Sequence, residues 1–81
     1  MRINVSFYSY FVDLAGCAKT IETLPEGGTL ADLIRKLYAR FPKLAPMSRS
    51  MLIAVGVDYQ PRDYVLHEGD EVSLFPPVQG G

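Results

Sequence analysis

The chain has one cysteine and one histidine, and each scarcity narrows what it can do. Cys17 alone cannot close an internal disulfide, so the reading is of a protein for a reducing compartment, the cytoplasm. His67 has no second ligand at metal-binding spacing, so no metal site is expected. No apolar run approaches the roughly 20 residues that a membrane helix needs. No signal peptide is read either, since Met1-Arg2-Ile3 goes straight into a strand pattern. Charge of one sign is missing too: eight basic residues stand against nine acidic ones, for a net charge of −1. That balance leaves no electrostatic footprint for nucleic acid or an anionic membrane.

What is present suits one small folded body. Eighty-one residues with 48% hydrophobic and 21% charged side chains allow one core and no second lobe. Residues 2–9 alternate, with Ile3, Val5 and Phe7 on one face and Asn4, Ser6 and Tyr8 on the other, the period of a half-buried strand. Tyr10 to Gly16 breaks that alternation and reads as a short helical turn closed by Gly16. Ala18 to Leu24 is a second, weakly patterned strand at a sheet edge, antiparallel to the first. Pro25-Glu26-Gly27-Gly28 is a turn. Thr29 then caps a helix, with Asp32 three residues on completing a capping-box pattern. Leu30, Leu33, Ile34, Leu37, Tyr38 and Phe41 form one continuous helical face, a core stripe rather than a binding stripe. Arg35, Lys36 and Arg40 lie on its other faces, and Pro42 marks the stop.

Lys43 to Ser50, with Pro42 and Pro46 near its start, reads as a loop with room for a short turn. Met51 to Val55 is a continuous apolar run expected of an interior strand. Gly56-Val57-Asp58 turns the chain into a short edge segment at Tyr59-Gln60, limited by Pro61. Arg62 to Leu66 carries little pattern, and His67 to Asp70 is a turn. Glu71 to Phe75 is the last strand, with Val72 and Leu74 facing one way and Ser73 and Phe75 the other. The expected fold is α+β, a β-grasp (ubiquitin-like) roll. Its mixed sheet of four to five strands carries one main helix across one face, with the first and last strands parallel at the centre. Residues 1–75 form the domain, and residues 76–81 form a flexible tail.

That ending, Phe75-Pro76-Pro77-Val78-Gln79-Gly80-Gly81, organises the reading. Pro76 and Pro77 donate no backbone hydrogen bond, so the sheet cannot continue through them and the chain leaves the body. Gly80 and Gly81 carry no Cβ and can thread a narrow channel. The last four residues, fully extended, reach on the order of 14 Å. A terminal carboxylate is ionised at neutral pH and is a poor acyl donor, so chemistry there requires activation by another enzyme.

The side chains offer less. His67 reads as a solvated turn residue, and Cys17 as a buried small apolar group. Glu22, Glu26, Asp70 and Glu71 read as turn and surface charges. Tyr8, Tyr10, Tyr59 and Tyr64 read as contact surface rather than catalytic groups. If the chain carries a reactive group of its own, that group is the main-chain terminus, and the plain alternative is a frayed chain end.

Gly69-Asp70-Glu71-Val72, followed by Phe-Pro-Pro-Val-x-Gly-Gly, resembles the ending of the MoaD branch of the MoaD/ThiS sulfur carriers. Leu14-Ala15-Gly16 and the helix from Thr29 to Phe41 also fit. The resemblance implies the sulfur-donating small subunit of molybdopterin synthase, non-autonomous, with the catalytic pocket in the large subunit. An E1-like adenylating partner would consume ATP to convert the Gly81 carboxylate to an acyl adenylate. A sulfur donor would then leave a thiocarboxylate, with no cofactor bound. The tail would deliver that sulfur to cyclic pyranopterin monophosphate to form the molybdopterin dithiolene, in a heterotetramer of two small and two large subunits. By the same resemblance, Gly81 carries the sulfur and Gly80 gives clearance. Pro76, Pro77, Val78 and Gln79 line the channel, and Phe75 anchors the interface. The alternatives are a sulfur carrier for thiamine or cysteine synthesis, a ubiquitin-like modifier joined through Gly81, and an interaction domain with an inert tail.

Overall fold

The computed structural model describes residues 1–77. Its elements are β1 (Arg2–Phe7), α1 (Phe11–Ala15), β2 (Lys19–Thr23), α2 (Leu30–Arg40), a 3₁₀ helix (Pro42–Met47), β3 (Leu52–Val55), β4 (Asp58–Tyr59) and β5 (Glu71–Phe75). The strands make one five-stranded sheet in the order β2-β1-β5-β3-β4. β1 and β5 are parallel, in a register that sets Asn4 beside Glu71 and Phe7 beside Leu74. β2 runs antiparallel to β1, and β3 runs antiparallel to both β5 and β4. This is the β-grasp arrangement.

Strand alternation decides what lies under the helix. Ile3, Val5, Phe7, Ile53, Val55, Val72 and Leu74 point to one face of the sheet. There they meet Leu30, Leu33, Ile34 and Leu37 of α2, all buried. Tyr38 and Phe41 pack half-buried against the same core, and the Phe41 ring meets that of Phe7 edge-on at 5.5 Å. Phe11 of α1 is fully buried, so the short helix closes one end of the core. α1 ends at Gly16, whose φ of 78° lies in the left-handed region that glycine occupies without steric cost.

The start of α2 is held from two sides. Thr29 and Asp32 form the reciprocal capping box, the Thr29 amide donating to Asp32 Oδ2 at 2.9 Å. The next donors, the Leu30 and Ala31 amides, reach the carbonyls of Tyr64 and Arg62 at 3.0 and 2.9 Å. The segment expected to carry little pattern therefore satisfies a helix terminus that has no partners of its own. It also sends Leu66 into the core, with the Leu66 amide donating to the Gly28 carbonyl at 2.9 Å. Gly28 is tightly enclosed, since a Cβ there would stand 3.1 Å from the Pro25 carbonyl oxygen.

Two expectations are corrected. The stretch read as a loop opens as a 3₁₀ helix, Pro42–Met47, because Pro42 suits a first helical position and Leu44 has a core site to fill. Glu22, read as a surface charge, is only 5% exposed and pairs with Arg40 of α2. Arg40 also donates to Thr20 Oγ1 at 3.2 Å, and its guanidinium lies 5.1 Å from the centre of the Phe41 ring. A carboxylate covered by the helix end keeps its charge acceptable by pairing with a cation.

Arg40→Met removes that cation and should destabilise the fold by about 1–3 kcal/mol, less than for a fully buried pair because Arg40 is half-exposed. Adding Glu22→Leu should recover most of the loss, as urea unfolding of the three variants would show. Thr29→Ala should cost about 1 kcal/mol through the lost cap. The Thr29 amide, above all, holds the Asp32 carboxyl below its ordinary value of 3.8. A lowered folded pKa stabilises fully above that ordinary value, and the gain is lost as pH falls toward the folded pKa. The stability gap between the wild type and Asp32→Asn should therefore close on acidification below about pH 3.8.

Candidate functional site

The face of the sheet opposite α2 is graded from end to end. Register places Phe75 beside Leu52 on β3, and on the β1 side the Phe75 ring stacks on Tyr8 at 4.6 Å with 14° between planes. The next row toward the start of β5 is Lys19, Ser6, Ser73, Ala54 and Tyr59. Beyond it come Ile21, Asn4 and Glu71. The Tyr8–Phe75–Leu52 row thus lies at the end of β5 where Phe75 gives way to Pro76, and the far end sets Asn4 and Glu71 beside a half-exposed Ile21.

β5 is a rigid base for whatever follows it, since it is bonded on both sides. Its backbone ladder reaches the end of β1, where the Tyr8 amide donates to the Leu74 carbonyl at 3.2 Å. Pro76 and Pro77 follow Phe75 outside any strand and are half-buried. Val78, Gln79, Gly80 and Gly81, the remaining residues expected to act, lie outside the described residues.

The other candidates are not brought together. His67 sits in the turn before β5, at the opposite end of the sheet from Phe75, with its side chain 74% exposed. Its amide donates to Asp70 Oδ2 at 2.8 Å, so the pair closes a turn. Cys17 is half-buried against the core. Among the described residues, no group of three His, Cys, Asp or Glu side chains could hold a metal. Nor is any helix among them long and apolar enough to cross a membrane. A hollow of about 490 Å³ lies over the outer face of β2, β1 and β5. It is lined by Asn4, Ser6, Lys19, Ile21 and Glu71 among others, without paired acids or a nucleophile.

The sheet delivers its last strand to the centre, and the chain after it reads Pro-Pro-x-x-Gly-Gly. The sequence pattern of the ThiS family matches residues 5–81. The chain belongs to the ThiS family. Among relatives of this ThiS-family chain, the molybdopterin synthase sulfur carrier subunit of Chlamydomonas reinhardtii is 30% identical over 83 residues, covering all of both chains. A Pyrococcus furiosus protein provisionally assigned as molybdopterin converting factor subunit 1 is 31% identical. Its structure superimposes with a TM-score of 0.89 over 96% of this chain and 99% of its own. A complex of subunits 1 and 2 of the molybdopterin-converting factor from Helicobacter pylori contains a chain with the same fold. That chain is 23% identical, with a TM-score of 0.72 and full coverage of both. The MoaD/ThiS resemblance read from the ending and the β-grasp expectation both agree with these findings.

Tyr8 was legible only as one of several scattered tyrosines. The parallel pairing gives it a place: with Phe7 and Leu74 side by side and inward, Tyr8 and Phe75 fall side by side and outward. His67→Gln and Cys17→Ala should each leave the chain's activity as a carrier unchanged and shift stability by less than about 1 kcal/mol. Thermal unfolding and a carrier assay on both variants check this.

Proposed function

We propose that this chain is the sulfur carrier subunit of a molybdopterin synthase. The observation that carries the reading is the ending that begins at Phe75, Phe-Pro-Pro-Val-x-Gly-Gly, issuing from the central strand of a ThiS-family sheet. In this mechanism a Gly81 carboxylate oxygen attacks the α-phosphorus of ATP on an E1-like partner. The acyl–phosphate bond forms and pyrophosphate leaves. A sulfide-level donor, as hydrosulfide, then adds to the activated carbonyl, AMP departs with the bonding electrons, and loss of the proton on sulfur leaves a thiocarboxylate. Inside the large subunit, that sulfur attacks a carbon of cyclic pyranopterin monophosphate that bears an oxygen. The carbon–sulfur bond forms as the carbon–oxygen bond breaks, and the oxygen leaves with the bonding electrons and is protonated. Water then cleaves the carbonyl–sulfur bond, returning Gly81 as a carboxylate and leaving the sulfur on the pterin as one half of the dithiolene.

The chain's own contribution is presentation. A strand bonded on both sides loses little further freedom on docking, so a rigid base lowers the entropy cost of placing the tip. Phe75, with Leu52 and Tyr8 beside it, is the anchor against the large subunit, and Pro76, Pro77, Val78 and Gln79 occupy its channel. Gly80 and Gly81 lack a Cβ, so nothing on them shields the carbonyl from attack. The large subunit supplies the groups that run the reaction, in a heterotetramer of two copies of each subunit.

Intact mass of the protein from cells blocked at the synthase step is the direct test. A species heavier by one oxygen-to-sulfur exchange, mapped to Gly81, is the expected result, and a wholly unmodified population there would sink the reading. Deleting Gly80-Gly81 should abolish molybdopterin formation while leaving the urea unfolding curve in place. An isopeptide-linked product would instead assign the chain as a protein modifier.

A further inference from the structure

The hydrogen-bond ladder that ties β5 to β1 runs out just where the tail begins. Among the described residues its last bond is the Tyr8 amide to the Leu74 carbonyl, and the two residues after Phe75 are prolines, with no amide to offer. On the β1 side, a side-chain contact takes over at that point, the near-parallel stack of Tyr8 on Phe75. We propose that Tyr8 is a positioning residue for the C-terminal tail: its ring, laid flat on Phe75, fixes the direction in which the chain leaves β5. The assay, but not the geometry, rests on the sulfur-carrier reading above.

Tyr8 is held in place for such a role. Its amide is bonded to Leu74, and its carbonyl accepts from the Phe11 amide at 3.2 Å. Phe11 is fully buried, so this turn is anchored in the core. Between them Ser9 has a φ of 55°, a left-handed conformation uncommon for a residue with a side chain. Such a conformation persists where the surroundings over-determine it. The turn therefore fixes the Tyr8 backbone independently of its ring, which remains 45% exposed. A ring held by a fixed backbone can orient a neighbour that ends a strand. Across the sheet Leu52 flanks Phe75 from β3, so the tail root sits between two supports.

A positioning role and a contact role separate in kinetics. If Tyr8 aims the tail, removing the ring leaves docking of the body intact but lowers the fraction of docked chains with Gly81 in reach. With the full chain and its cognate adenylating enzyme, Tyr8→Ala should lower kcat for adenylate formation roughly three- to tenfold, the scale of a stacked aromatic pair. KM for the carrier should stay within about twofold. Tyr8→Phe should restore kcat, because the flat ring and not the hydroxyl does the orienting. Tyr8→Leu, which keeps apolar bulk and guards against a folding defect, should behave as Tyr8→Ala. In kcat, Phe75→Ala should lose at least as much as Tyr8→Ala, and the double variant no more than Phe75→Ala alone, since the stack is already gone in each. A raised KM with unchanged kcat would make Tyr8 a docking contact and overturn the proposal, as would additive losses or no loss. Should the wild-type chain itself not be adenylated, the sulfur-carrier reading fails instead. NMR order parameters of Phe75 then decide the inference: a fall in Tyr8→Ala but not in Tyr8→Phe supports it, and equal values overturn it.

Discussion

The parallel pairing of β1 with β5 is the constraint on which the rest of the structure depends. It joins residues near the two ends of the described chain and puts them at the middle of the sheet. In-phase alternation along both strands then sends Ile3, Val5, Phe7, Val72 and Leu74 beneath α2 and leaves the opposite face for contact. Each strand has a hydrogen-bonded neighbour on its other side, so neither is an edge. The residue that ends β5 is consequently a well-held point from which a chain can depart. The sulfur-carrier reading proposed above makes use of such a point, because it places the reacting group on the main chain rather than on a side chain.

Much of this was readable before any coordinates. The α2 stripe from Leu30 to Leu37 is strongly periodic, and the Thr29–Asp32 box is a local pattern with a local cause, so both were legible. The alternation of β1 and β5 and the continuous run of β3 were local signals as well. What the sequence hid depends on partners distant along the chain. Glu22 looks like any strand-surface acid until α2 lays Arg40 over it. Arg62 to Leu66 has no period because its task is done by carbonyl groups, which cap α2 whatever the side chains are. Leu66 is a single apolar residue, too little for a pattern, yet it fills a core site. Tyr8 gains its meaning only from a neighbour at the other end of the sequence.

The two faces of the sheet divide the labour. One is covered by α2 and holds the molecule together by apolar burial. The other grades from the Tyr8–Phe75–Leu52 row at the tail end to the Asn4–Glu71 row at the far end. The Tyr8–Phe75–Leu52 row lies where the tail departs, so a partner that gripped this row would stand close to the tail.

The central position of β5 also has a bearing on how the molecule comes into being. Contacts between segments so far apart in sequence raise the contact order and slow folding relative to helical proteins. During synthesis the slot between β1 and β3 stays empty until the final strand has left the ribosome, because nothing earlier can bridge those two strands. The body is completed by the same segment that leads into the tail. A chain cut short before β5 would lack the middle of its sheet and would expose apolar surface of the kind that chaperones and proteases recognise. The order of the strands thus makes completion of the sheet depend on the strand that leads into the tail.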